Sequence, residues 1–169
     1  MAPSTANIQE HLRNDLDIAR NVIVQASCHG RDNTALLHAL DYFGETARGV
    51  VAIGSDVSQS ELADMHHRGV RGVRFNFVKR LVENQSLEEV ELVAAKIREL
   101  GWHIVVYFES PDLPDLADFL ANLDVPLIID HLGRPDDAVL LNYLTQIAPD
   151  ESDMQRQLVD NPMALYWGK

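Results

Sequence analysis

The chain has 169 residues, 46% of them hydrophobic and 24% charged, enough to bury one sizeable core and hardly two. Its 26 acidic against 14 basic residues give a net charge of −12, which opposes binding to nucleic acid or to anionic lipid. Cys28 is the only cysteine, which excludes an intrachain disulfide and any multi-cysteine zinc or iron–sulfur site.

No apolar run approaches the ~20 residues that span a bilayer, and Met1 to Gln9 lacks the basic-then-apolar build of a secretory leader. A cytoplasmic protein with no membrane partner is expected. Residues 1–20 read as a leading helix. Five β-rich runs follow at near-regular intervals: Asn21–Ala26, Gly49–Ile53, Gly72–Phe77, His103–Phe108 and Pro126–Asp130.

Helical patterns separate them. Asn33–Phe43 carries Leu36, Leu37, Leu40 and Phe43 on one face, and Ser58 opens a helix with Leu62, Met65 and Gly69 at helical spacing. Ser86 with Glu89 makes a capping box ahead of the stripe Val90, Val93, Ile97 and Leu100, and Gly101 ends that helix. Leu113–Leu123 is the next helix. After Arg134 the alternation stops, and Asp137–Ile147 and Glu151–Leu165 both read as helices with no sixth strand between them.

Strand, helix and strand in repetition predict parallel pairing through crossovers, hence an α/β fold. The expected organisation is a single domain over 1–169: the leading helix 1–20, five βα units over 21–136 and C-terminal helices over 137–169. Five such units fit an open doubly wound sheet and equally part of a (β/α)8 barrel, which typically needs ~250 residues, so length alone favours the open sheet.

In both architectures function collects at the carboxyl ends of the strands. Those ends carry Ser27, Cys28 and His29; Ser55 and Asp56; Arg74 and Asn76; Tyr107 and Glu109; and Asp130, His131 and Arg134. Alternation sets Val73, Phe75 and Phe77 on one face of the third strand and Arg74 and Asn76 on the other. An arginine in a strand that should be apolar on both faces needs a carboxylate partner or an anionic ligand. The internal candidates are Asp56 and Glu109. Arg80 lies just past the strand, in a stretch, His66 to Arg80, with five Lys or Arg and no Asp or Glu.

His131 either hydrogen-bonds Asp130 or faces the same mouth as Arg74 beside Arg134. Cys28 has no feature that depresses its pKa and reads as a small buried thiol. His66 and His67 read as solvated, and His11, His38 and His103 have no identifiable partner. There is no GxGxxG, Walker, GxSxG, HExxH or HxH motif, so no nucleotide and no self-contained metal site is expected.

The segments VIVQASCHGRDN (Val22–Asn33), RGVRGVRFNFVKR (Arg68–Arg80), GWHIVVYFE (Gly101–Glu109), PLIIDHLGRPD (Pro126–Asp136) and LVDNPMALYW (Leu158–Trp167) resemble the amidohydrolase-related family. The likeness is greatest to its lactonase branch, which acts on 2-pyrone-4,6-dicarboxylate. That resemblance implies a partial (β/α)8 barrel of about five parallel strands with two C-terminal helices. It implies a hydrolase in the bacterial breakdown of lignin-derived aromatics, in which water attacks the lactone carbonyl of a small anionic dicarboxylate without a tightly bound metal or other cofactor.

Carried onto matching positions, the resemblance makes Arg74 and Arg80 clamps for substrate carboxylates, Tyr107 a hydrogen-bonding partner, His131 the group polarising the carbonyl and Arg134 a further anion contact. Ser27 and His29 match a loop that lines the site. Two departures stand out: 1–20 holds no HxH pair, and Asp137 leads into the terminal segment where the family has strands six to eight and an aspartate base. Five strands do not close a barrel, so two sheet edges are expected to be free for self-association. The alternative reading is an inactive remnant that binds small dicarboxylates, serves as an interaction module or is purely structural.

Overall fold

The computed structural model describes residues 13, 15–78, 86–133 and 150–168. Arg80, Arg134, the expected helix Asp137–Ile147 and most of the leading segment lie outside the described residues. The end of that segment, 16–20, is turn and bend, with Asp17 at a φ of 53°.

Five strands form one sheet: β1 (Asn21–Val24), β2 (Ala47–Val51), β3 (Val70–Asn76), β4 (His103–Tyr107) and β5 (Leu127–Ile129). All neighbours are parallel and the spatial order is the chain order, β1-β2-β3-β4-β5. A doubly wound sheet reverses direction at a switch point, giving orders such as 3-2-1-4-5. Nothing reverses here. The winding is that of a (β/α)8 barrel wall, so the open sheet that length favours is not the one formed.

The helices α1 (Thr34–Phe43), α2 (Gln59–His67), α3 (Leu87–Ile97) and α4 (Leu113–Ala121) connect the strands and bury their apolar stripes against one face. Leu36, Leu40, Leu62, Met65, Val90, Val93, Ile97, Leu116 and Leu120 pack there on Val51, Val73, Phe75, Ile104, Val106 and Phe108. Burial of this kind contributes about 25 cal/mol per Å² of apolar surface, the largest favourable contribution to folding.

Local signals set the helix ends. Ser58 and Glu61 form a reciprocal capping box on α2. On α3 the Ser86 hydroxyl accepts from the Glu89 N–H at 3.3 Å, while the Glu89 carboxylate engages Arg31 at 2.7 Å and the Ser55 N–H at 3.3 Å. A 3-10 turn after α3 closes on Gly101, whose φ of 65° suits a residue without a Cβ.

The second face of the sheet carries Arg48, Val50, Gly72, Arg74, Asn76, His103, Val105 and Tyr107. An irregularity between Gly49 and Val50, paired with Val70 and Gly72, inserts Arg71 into β3 and moves Gly72 onto this face. His103 sits beside Gly72 in register, and a Cβ at Gly72 would run into its ring.

The helix expected over Glu151–Leu165 forms as a continuous run, α5 (Glu151–Gln155), a π turn (Arg156–Asp160) and α6 (Asn161–Trp167). Pro162 has no N–H to give to the carbonyl of Leu158, and the turn before it is wide. This run reaches the second face at the amino ends of the strands. The Tyr166 ring stands edge-on to His103, 4.9 Å between centroids, and Arg48 Nε donates to the Tyr166 carbonyl at 3.0 Å. Trp167 Nε1 donates to the Glu45 carbonyl at 3.2 Å.

Two histidines without assigned partners in sequence thus acquire them. His103 is fully buried against Tyr166, and neither ring nitrogen has a hydrogen-bond partner among the described residues. His66 is half-buried rather than solvated: its Nδ1 accepts from Trp102 Nε1 at 2.9 Å, and the two rings stack at 6°.

Burial pushes the His103 pKa down to about 4. An unfolded histidine takes its proton near pH 6.5, so between pH 6.5 and 4 the unfolded chain binds more protons than the folded one. Stability therefore falls as pH is lowered through that interval, by about 3 kcal/mol over its whole span. We expect urea unfolding at pH 7 and pH 5 to show about 2 kcal/mol of this loss, and His103→Phe to flatten it. An equal pH slope in the variant would place the titration at another group.

Candidate functional site

The carboxyl ends of β1, β3, β4 and β5 meet on the second face. Arg74 and Asn76 point there from β3, and Asn76 pairs in register with Tyr107 of β4. The chain leaves β1 into a 3-10 turn, Ser27–His29, and leaves β5 into another, Asp130–Gly133, in which His131 holds a φ of 50°.

Arg74 is the centre of the arrangement. Its side chain is 11% exposed and its guanidinium grips Asp130 Oδ2 from two nitrogens, Nη2 at 2.9 Å and Nε at 3.2 Å. Nη1 donates to Ser27 Oγ at 3.1 Å, and the guanidinium lies 5.0 Å over the Tyr107 ring. A planar cation stacked on an aromatic face and forked onto a carboxylate is held in position and orientation.

His131 stands beside Tyr107, ring centroids 5.1 Å apart, with Nε2 3.8 Å from Asp130 Oδ1. That distance is too long for the hydrogen bond to Asp130 that the sequence suggests, and the imidazole is exposed. His29 is exposed in its turn and is not drawn into the Arg74 cluster. Ser27, Arg74, Tyr107 and His131 are brought together. Arg80 and Arg134 lie outside the described residues.

Two further expectations are corrected. Arg74 does pair with an acid, but it is Asp130 and not Asp56 or Glu109. Asp56 lies 3.7 Å from Arg31, itself held by Glu89 at 2.7 Å. Cys28 is exposed, not buried, because the turn after β1 carries it away from the helices that cover the opposite face.

From sequence, Asp130 figures only as a partner for His131. Its pairing with Arg74 is nonetheless consistent with alternation: Arg74 aligns with Val105 and Val105 with Ile128, which puts Asp130 two residues on, on the same face. Arg31 reads in sequence as a plain turn residue, yet it lines a cavity of about 160 Å³ together with Ser27, Arg74, Asn76 and Gln25. Among the described residues no group of three His, Cys, Asp or Glu side chains is placed to hold a metal ion, and no helix is long and apolar enough to cross a membrane.

The sequence matches the amidohydrolase family over residues 5–146. The chain belongs to the amidohydrolase family. It is 51% identical over 125 residues to a 2-pyrone-4,6-dicarboxylate hydrolase of Comamonas testosteroni, covering 74% of this chain and 41% of that protein. Identity to a 4-sulfomuconolactone hydrolase of Rhizobium radiobacter is 35% over 130 residues, covering 76% of this chain and 44% of the other. The solved structure of a proposed 2-pyrone-4,6-dicarboxylic acid hydrolase from Pseudomonas putida superposes with a TM-score of 0.67 at 29% identity, covering 94% of this chain and 68% of that one.

The amidohydrolase chain thus spans less than half the length of the two curated relatives. At the family level it is a hydrolase, and its five parallel strands with flanking helices are the wall of an amidohydrolase-type barrel. Asp130→Ala would strip the nearly buried Arg74 of its carboxylate, and we expect a destabilisation of roughly 1–3 kcal/mol, read from the urea midpoint. An unchanged midpoint would show that Ser27 and Tyr107 suffice to hold the guanidinium.

Proposed function

We propose that this amidohydrolase contributes the substrate-binding side of a lactone hydrolase acting on a small anionic dicarboxylate of the 2-pyrone-4,6-dicarboxylate type. The observation that carries the reading is the orientation of Arg74 at the strand ends: stacked on Tyr107, braced by Asp130, with Ser27 and His131 at the same mouth. Guanidinium forks bind carboxylates in bidentate fashion, and both curated relatives are named for anionic lactones.

In the proposed reaction one substrate carboxylate docks at Arg74 and the Ser27 hydroxyl, with Tyr107 beside it. His131 donates a hydrogen bond to the lactone carbonyl oxygen. As water adds to the carbonyl carbon, negative charge builds on that oxygen and is stabilised by His131 and the cationic mouth. The ring C–O bond then breaks to leave a new carboxylate and a ring-opened hydroxyl. The family resemblance assigns proton removal from the water to an aspartate on a later strand.

Arg80 and Arg134 complete the proposal as further carboxylate contacts, and His29 as a more distant lining residue. The same reading takes 1–169 as one domain, needs no cofactor, places it in the cytoplasmic breakdown of lignin-derived aromatics, and lets the edges of β1 and β5 mediate self-association.

Absorbance of the pyrone chromophore tests it. Decay at a rate proportional to protein is expected if the chain is active, whereas binding without decay assigns it to the binding-only alternative. Arg74→Ala is expected to weaken dicarboxylate binding about tenfold or more, the equivalent of one charge-assisted hydrogen bond. An unchanged dissociation constant would remove Arg74 from the site.

A further inference from the structure

Asn76 lines the cavity beside Arg74 without an assigned role in the proposed reaction; it is 8% exposed and lies one strand-face step beyond Arg74. Its amide orientation is set by the chain itself. Oδ1 accepts from the Val78 N–H at 2.9 Å, so Nδ2 is the end that faces Ser27, and it donates to Ser27 Oγ at 3.1 Å. The Ser27 oxygen therefore accepts twice, from Asn76 Nδ2 and from Arg74 Nη1, each at 3.1 Å.

A hydroxyl has two lone pairs and one proton. With both lone pairs filled by these donors, the Ser27 proton is left as the only hydrogen-bonding valence of that oxygen. Ser27 is exposed and lines the cavity of about 160 Å³ shared with Arg31, Arg74 and Asn76, so that proton is available to whatever enters it. An arriving group meets a donor at Ser27 and donors at Arg74. Such a wall suits an acceptor-only group, a carboxylate, and it rejects a group that must itself donate, such as a carboxamide N–H or a hydroxyl proton.

We infer that Asn76 is a positioning and specificity-determining residue: it polarises Ser27 into an obligate donor and so makes the Arg74 pocket selective for carboxylates over neutral hydrogen-bond donors. The inference deepens the dicarboxylate reading above and rests on it. Asn76 does not touch the substrate. It acts through Ser27, and its reach is confined to the subsite that Ser27 and Arg74 share.

Asn76→Asp is the sharpest probe, because it is nearly isosteric and keeps an oxygen for the Val78 N–H but replaces the donor to Ser27 with an acceptor. In that variant Ser27 turns its proton toward the introduced carboxylate and presents a lone pair to the cavity. Titration of the full chain with isophthalate, a hydrolytically inert dicarboxylate, and with its neutral diamide reads the change. We expect Asn76→Asp to raise the isophthalate dissociation constant about tenfold or more, the cost of one hydrogen bond to a charged group, and to narrow the preference for dicarboxylate over diamide.

Asn76→Ala should weaken isophthalate binding less, and should have no further effect in a Ser27→Ala background, since it acts only through that hydroxyl. Equal affinities for isophthalate in wild type and both Asn76 variants would overturn the inference while leaving the dicarboxylate reading intact. So would additive losses in the double variant, which mark a merely structural role. If the wild type binds no isophthalate, the dicarboxylate reading itself fails. The relay is then judged on the guanidinium N–H resonances of Arg74, where both Asn76→Ala and Ser27→Ala must speed Nη rotation for it to stand.

Discussion

A guanidinium on the face of a parallel sheet has to be neutralised and hydrogen-bonded, and the carboxyl end of this fold is organised around how Arg74 meets that demand. Burying such an ion alone costs several kcal/mol even after relaxation. Asp130 supplies the opposite charge, Ser27 an acceptor and Tyr107 a π face. These three come from the ends of three different strands, β5, β1 and β4, so the requirement of one side chain draws together loops that are far apart in the chain. The same neutralisation keeps Arg74 from being a bare cation and fixes the orientation of its guanidinium.

The two faces of the sheet differ in what they contribute. The helix-covered face is mostly apolar and carries the packing energy, while the other mixes polar and apolar side chains along the strands. At their amino ends lie the buried neutral His103 and the Tyr166 ring; at their carboxyl ends lie Arg74, Asn76 and Asp130. The carboxyl ends are where sites generally lie in parallel α/β folds.

Much of this is legible in the sequence. Hydrophobic periodicity locates all five strands and the four connecting helices to within a few residues, and the alternation around Arg74 reveals that β3 is not apolar on both faces. What periodicity does not hold is neighbour order. Chain length points to an open sheet, and only the observed sequential pairing shows the barrel-wall winding. For the same reason sequence alone does not match Asp130 to Arg74: a partner 56 positions away is chosen by register across two strands, which local pattern does not encode. Cys28 and His66 differ from expectation in exposure because burial depends on which loop turns away from the helices and which ring meets Trp102. The resemblance identifies the family from motif segments, beyond what composition or spacing yields.

The alternation of β3 carries one more consequence. A strand whose inward and outward residues are all apolar can slide by one position against its neighbours at little cost, because one set of aliphatic side chains replaces another. In β3 the same slip would drive a guanidinium into the packed helices and turn Phe75 toward water. Arg74 thereby acts as a pin that favours a single alignment of the sheet, and the fidelity of strand pairing comes to depend on one charged group.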